Sequence, residues 1–324
     1  MAIKTGIAAQ FGIVDQTDYD TAGTVDRFYE FNSETLKNDI GVIESRALGR
    51  GRFLRSDRRK VFSRGGMGQV TIPVMNKGMG LILEHCIGQN TVTGGGAAKT
   101  HTIIPDAAAL QGQAFTAQVG KPDVGGTVRP FTFEGCKVKS WELKADIGGE
   151  LQLIVEIDSK TVVTGTSLAS ASFPSTAEKF VFTEGVIALN GTTQFVKGFS
   201  LKGDNALAVD RRGMGNTKRE PLAAGLMRVT GTLNCEFDDL TRYAAFVAGT
   251  VLATLTLTFT LATVIPTTAT PFSLTITIDD LVYTGDTPAV GGPEVVQNPT
   301  PFEAVYDGTN PTVKIEIVTS DTTS

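Results

Sequence analysis

Histidine, cysteine and tryptophan are nearly missing from this chain. His85 and His101 are the only histidines, and neither has a histidine four residues away or a cysteine at ligand spacing, which points to packed or surface rings rather than a general base or a metal ligand. Cys86, Cys136 and Cys235 are odd in number and far apart, so they make neither a disulfide framework nor a zinc spacing, and are expected as buried free thiols. No nucleophile-elbow motif occurs. The stretch "GGGAAKT" (94–100) has Ala98 where a phosphate loop needs the glycine before Lys-Thr, and it is read as a flexible loop. Asp238-Asp239 and Asp279-Asp280 are neighbours that would face opposite sides of a strand or cap a helix, not carboxylate dyads. An enzyme is therefore the weakest reading, and no cofactor, catalytic residue or metal is expected.

Long apolar runs are also lacking. The first residues, "MAIKTGIAAQFG", have neither the charged start nor the continuous apolar core of a signal peptide, so export by that route is not expected. The best candidate for a membrane span, "VLATLTLTFTLATVIP", has threonine at every second position from Thr254 to Thr260. Val251, Ala253, Leu255, Leu257, Phe259 and Leu261 share the other parity, which predicts a strand rather than a transmembrane helix.

What is present is β pattern and glycine. With 324 residues, 41% hydrophobic composition, 36 glycines and 7% aromatics, the chain is long enough for two β-rich units. In "GCKVKSWELKADIGGELQLIVEID" (135–158), Trp141, Leu143, Ala145 and Ile147 hold one parity and Glu142, Lys144 and Asp146 the other. After Gly148-Gly149, Leu151, Leu153, Val155 and Ile157 alternate with Gln152, Glu156 and Asp158. The spacing predicts a β-hairpin with one wet face and a bulge near Ser140.

Charge is segregated. Between Arg46 and Arg64, eight basic side chains (Arg46, Arg50, Arg52, Arg55, Arg58, Arg59, Lys60 and Arg64) stand against the single acid Asp57, a local excess of +7 in a chain of net charge −5. Beyond Arg242 the only base is Lys314, against eight acids. The basic segment suits an arm that docks on an acidic surface of a neighbouring copy; phosphate binding and a solvated loop are the alternatives.

The chain also echoes itself. "SETLKNDIGVIESRALG" (33–49) and "FSLKGDNALAVDRRGMG" (199–215) each have Leu-Lys followed by Asp and then arginine with small residues. After the first, "GQVTIPV" leads into a helical stripe of Met79, Ile82, Leu83, Cys86 and Ile87, with Asn76 as N-cap and Gly88 as stop. After the second, "RVTGTLNCEF" leads into Leu240, Tyr243, Ala244 and Val247, capped by Asp238 and ended by Gly249. Val155 follows Gly88 at about the distance at which Ile315 follows Gly249. The expected organisation is an N-terminal arm over 1–23, a first module over 24–158, a Ser/Thr/Ala-rich linker over 159–179 and a second module over 180–324. One large β-sandwich is the alternative.

The segments "VDRFYEFNSETLKNDIGVIESRALGRGR", "RSDRR", "GQVTIPVMNKGMGLILEHCIG", "FTFEGCKVKSWELKADIGGELQLIVEID" and "NPTVKIEIVTSD" resemble the tail tube, or major tail, proteins of long-tailed bacteriophages, particularly those infecting actinobacteria. That resemblance implies a mainly β fold of tandem tail-tube-type β-sandwich or barrel modules, each with one short flanking α-helix. It further implies stacked rings with a lumen for the genome and a loop that reaches adjacent rings. On this reading Arg46 to Arg64 is the inter-ring arm, and the hairpin 136–158 and a counterpart near 272–318 line the lumen. Glu142, Asp146, Gln152, Glu156 and Glu316 then face the channel, with Lys144 on the same parity, as a mainly negative wall that repels phosphates. The family forms six-fold rings from single modules, so two modules per chain imply trimeric pseudo-hexameric rings, with hexameric rings as the alternative. The implied partners are the chain itself, other phage tail proteins and genomic DNA that passes without specific binding, with no membrane. The implied location is the virion tail, assembled in the host cytoplasm. The competing functions are a nucleic-acid-binding protein using the basic loop and a β-sandwich adhesin or fibre protein.

Overall fold

Alternating sequence becomes strand almost throughout the computed structural model, which describes residues 4–45, 53–108, 110–215, 218–285 and 287–323. In the first half the strands are β1 (Gln10–Gln16), β2 (Arg27–Tyr29), β3 (Ser33–Glu34), β4 (Lys37–Glu44) and β5 (Arg59–Pro73). Helix α1 (Gly80–Ile87) follows, then β6 (Gly88–Thr93), β7 (Lys99–Pro105), β8 (Ala114–Pro122), β9 (Val128–Asp146), β10 (Gln152–Ser159) and β11 (Thr161–Val163). The second half has β12 (Gly185–Leu189), β13 (Thr192–Thr193), β14 (Gly198–Asp204) and β15 (Arg228–Glu236). Helix α2 (Thr241–Ala248) precedes β16 (Val251–Val264), β17 (Pro271–Tyr283), β18 (Gln297–Val305) and β19 (Lys314–Thr319). The protein is mainly β with short helices. No helix among the described residues is long and apolar enough to cross a membrane, and the threonine-alternating run is strand β16.

All strand pairs are antiparallel. A long sheet runs β4–β5–β10–β9–β14–β15–β18–β17. One side sheet runs β2–β1–β8–β9–β11, and a second runs β13–β12–β16–β17–β19–β7–β6. β9 and β17 belong to two sheets each, giving the first part of their length to a side sheet and the end to the long sheet. β9 turns this corner beside Gly135, whose φ of 60° and close approach to the Tyr19 carbonyl leave no room for a side chain. The strand order is the same in the two halves, β4–β5–β10–β9 matching β14–β15–β18–β17. The hairpin β6–β7 has no equivalent after α2; it crosses from the first half to pair with β19 of the second.

The predicted hairpin forms with its predicted faces. Trp141, Leu143, Ala145, Leu153, Val155 and Ile157 are buried, each fully buried large apolar side chain contributing about 1.5–3 kcal/mol. The bulge falls where the parity slipped: Glu156 pairs with Ser140 and Ile157 with Val138, leaving Lys139 as the extra residue. Ile147 departs from the expected face and is exposed, because it lies past the last ladder pair, in the turn. Two glycines fit aromatic rings across the ladder. A Cβ on Gly203 would lie 2.3 Å from the Trp141 indole, and one on Gly231 would lie 2.3 Å from the Phe302 ring.

Several local details, the helix caps among them, differ from the sequence expectation. Phe11 and Ile13 are fully buried and draw β1 between β2 and β8, so residues 10–16 are packed strand. The linker is pinned to the body: the Gln118 amide donates to the Ser167 carbonyl and accepts from the Ala169 N–H, and Asn76 exchanges bonds with Glu178. Asn76 is therefore a buried clamp and not the cap of α1, whose N-cap is Met79. In α2 it is Asp239, not Asp238, that accepts the Thr241 N–H, at 2.7 Å, while Asp238 pairs with Arg242 one turn on. Gly249 ends that helix in the left-handed region, as expected. All three cysteines are buried and free, and burial pushes the Cys86 and Cys136 thiols well above the ordinary thiol range.

Candidate assembly surfaces

The long sheet buries one face and leaves the other wet. On the wet face the polar parity of β9 meets its neighbours in register, Glu142 opposite Ile154 of β10 and Lys202 of β14, and Ser140 opposite Glu156 and Asp204. Glu142, Asp146, Gln152 and Glu156 therefore share one surface, as the alternation implied. Glu316 does not join them. It lies on β19, in the second side sheet, beside Lys314 at 3.1 Å. The strand that stands where β10 stands in the first half is β18, not β19, because β18 is the one flanked by β15 and β17.

The wet face is of mixed charge. Glu142 accepts from the Ser200 hydroxyl at 3.0 Å and faces the Lys202 ammonium at 3.5 Å. Glu156 accepts from Ser140 at 2.6 Å and Lys139 at 2.9 Å. Burial pushes the Glu156 carboxyl up, but those two donors outweigh it and hold the group below its ordinary value. Glu303 faces Arg228 at 3.8 Å, and Glu236 pairs with Lys197 at 2.6 Å. The bases on β14 and β15 lie outside residues 135–158, whose alternation predicts only that hairpin's own faces; Lys202 stands in the Leu-Lys echo, a sequence signal for a cross-strand partner.

The basic segment divides at the limits of the described residues. Arg46, Arg50 and Arg52 lie outside them. Arg55, Arg58, Arg59, Lys60 and Arg64 are exposed on and beside the hairpin of β4 and β5. Arg55 grips Asp57 with two bonds of 2.9 Å, and Arg59 pairs with Glu44 at 3.2 Å across the ladder. Ile40, Ile43, Val61 and Phe62 are also exposed on this hairpin, so it presents apolar area together with charge.

The equivalent connection in the second half folds back onto the body in its described residues, 205–215 and 218–227. Its Lys218 ammonium lies between the two Asp158 oxygens at 2.8 and 2.7 Å and also donates to the Ser159 carbonyl at 2.8 Å. Burial pushes the Asp158 carboxyl up, with Lys218 pulling the other way. Glu220 pairs with the buried Lys137 at 2.7 Å, and Arg212 donates to the Arg64 carbonyl at 2.9 Å. "GGGAAKT" is the turn between β6 and β7, closed by Lys99 donating to the Gly94 carbonyl at 2.8 Å. Of the two histidines, His101 is buried between Asn90 and the Asp321 carbonyl, and His85 stacks on Phe115.

Among known protein families, the one described as phage tail tube protein matches residues 6–304. No curated protein matches the chain.

Proposed function

The chain belongs to the phage tail tube protein family and is a structural protein of the virion tail; on that premise we propose that its copies self-assemble into stacked rings whose joined long sheets enclose a passage for DNA. The observation that carries this reading is the long sheet itself, which has one buried face, one wet face and the same four-strand order twice. That repeat supports two tail-tube modules per chain and hence three chains per ring. Three such sheets supply about 24 strands, and strands spaced ~4.8 Å apart and tilted ~40° close at a backbone diameter near ~50 Å, wide enough for a duplex.

The wet face is the candidate lumen wall, with Glu142, Asp146, Gln152 and Glu156 among its residues. Its acids sit against Lys202, Arg228, Lys139 and Lys197, so the wall is a mosaic of paired charges. A mosaic offers phosphates no continuous cationic stripe, which suits passage without specific binding. The arginine hairpin, with its exposed apolar residues, is the candidate inter-ring arm. Copies would assemble with other tail proteins in the host cytoplasm.

Negative-stain electron microscopy with mass measurement of the smallest closed ring tests this. Hollow rings with the mass of three chains are expected. Rings of six chains would keep the tube and remove the two-module count, whereas a species that stays monomeric at high concentration and retains duplex DNA would replace the tube with the nucleic-acid-binding reading.

A further inference from the structure

The segment that leads into the second half also braces the first. Between the end of β5 and the start of β10, the Val74 N–H donates to the Leu151 carbonyl at 2.8 Å. Phe180 of the linker takes up the two backbone groups left over. Its N–H donates to the Val74 carbonyl at 3.0 Å, and its carbonyl accepts from the Leu151 N–H at 2.8 Å. Val181 then bridges to Glu150. Val74, Leu151 and Phe180 are all fully buried. The second half has the same opening without the brace. Between the end of β15 and the start of β18, the Phe237 N–H donates to the Val296 carbonyl at 2.9 Å, as Val74 does to Leu151. The Phe237 carbonyl and the Val296 N–H have no hydrogen-bond partner among the described residues, and Phe237 and Val295 are exposed.

The segment before β1 has the form of the missing brace. The linker reaches β12 through an extended Val181, with φ −122° and ψ 161°, and a 3-10 turn over Phe182–Glu184. The chain reaches β1 through an extended Thr5, with φ −116° and ψ 178°, and a 3-10 turn over Gly6–Ala8. Both turns close alike, the Glu184 N–H on the Val181 carbonyl at 3.1 Å and the Ala8 N–H on the Thr5 carbonyl at 2.9 Å. β1 then pairs with β8 as β12 pairs with β16, and β8 and β16 hold the same place beside β9 and β17. Lys4 therefore stands in the chain where Phe180 stands, and Thr5 where Val181 stands. Both are exposed, and the Lys4 backbone has no partner among the described residues.

We propose that Lys4 and Thr5 of one copy dock between the ends of β15 and β18 of a second copy, bracing it as the linker braces the first half. The Lys4 N–H donates to the Phe237 carbonyl and the Lys4 carbonyl accepts from the Val296 N–H. The proposal rests on the ring-forming reading and adds to it a contact made by a segment outside the sheets. The side chains at the two places differ as their surroundings require. Inside the chain, Phe180 packs on Phe259 with ring centres 6.4 Å apart, and Phe259 on Phe199 at 6.0 Å, a permanent apolar seam. The residues at the corresponding positions before β1, on β8 and on β3 are Lys4, Lys121 and Glu34, the last two paired at 2.9 Å. A joint that stays wet until a copy arrives thus carries charge where the permanent one carries rings. The acids that flank the opening, Asp238 and Glu294, are exposed and suit an incoming lysine.

The bridge of Val181 to Glu150, carried over, puts Thr5 of one copy opposite Val295 of the next. Both are exposed and the native thiols are buried. Directly opposed strand positions lie within disulfide reach, so the double variant Thr5→Cys with Val295→Cys should form disulfides between chains in assembled rings, and neither single variant should. Lys4→Pro removes the backbone donor. It should raise the protein concentration at which rings form several-fold, read by light scattering, with no change in the unfolding midpoint of the single chain. Lys4→Ala keeps the donor and should raise it less. Rings that form without the disulfide, or Lys4→Pro rings that form at the wild-type concentration, would overturn the docking and leave the tube intact. If neither the wild type nor any variant forms rings, the ring reading falls and this inference with it.

Discussion

α1 and α2 stand at the same place in the strand order and have opposite surroundings. α1 buries Ile82, Leu83 and Cys86 completely; α2 leaves Leu240 and Val247 each 64% exposed. The strand pair β4–β5 and the described residues of the connection after β14 contrast in the same way. Residues 205–215 and 218–227 are held down by Lys218, Arg212 and Glu220, whereas β4 and β5 leave Ile40, Ile43, Val61 and Phe62 uncovered. For the helices the difference is the hairpin β6–β7, which packs on α1 together with β9 and has no equivalent beside α2; for the strand connections it is the set of ion pairs and hydrogen bonds that holds one of them to the body.

The contrast can be broken most forcefully at the covered side. Lys218→Ala would strand the buried Asp158 carboxylate and is expected to cost about 3–5 kcal/mol in urea unfolding. Arg59→Ala on the extended hairpin, losing only an exposed pair, should cost less than about 1 kcal/mol. Leu83→Ala in α1 should cost about 2–5 kcal/mol, while Val247→Ser in α2 should leave chain stability within about 0.5 kcal/mol and instead slow assembly. A large stability loss from Val247→Ser would end the comparison between the helices. Gly203→Val, forced against Trp141 at the seam, is expected to cost about 1–3 kcal/mol by overpacking.

The smallest effect concerns acid. Glu156 has its folded pKa held below the unfolded value, so the stability it confers is present above the ordinary glutamate range and is lost as pH falls through the folded pKa. Glu156→Gln should flatten the acid limb of a plot of unfolding midpoint against pH. An unchanged limb would show that Ser140 and Lys139 do not couple to its ionisation.

Period-two alternation made the hairpin, its wet face and the bulge at Lys139 legible, because a buried sheet face tolerates no error of parity. The helix α1 was legible for the related reason that one stripe of it is core. The stripe assigned to α2 was not: Leu240, Ala244 and Val247 face outward, and Ala245 and Phe246 pack on the core. Its mixed Ala and Tyr composition carries little contrast between faces. Strand partners lay further out of reach, since Glu316 alternates as well as Glu142 does and only the pairing of β19 with β17 and β7 separates them. The Lys218–Asp158 pair joins residues 60 positions apart through an irregular loop, and no periodicity announces such a contact.

The hairpin β6–β7 has a consequence in time. During synthesis it emerges well before β19, the strand that covers its edge; His101 of β7 and Asp321, which close the same join, are 220 positions apart in the chain. Until the ribosome has delivered β19, the first half waits with one flank uncovered, and a chain cut short before it leaves it so. The hairpin thereby ties the finish of one half to the translation of the other, so that the first half completes its folding only once β19 has been made.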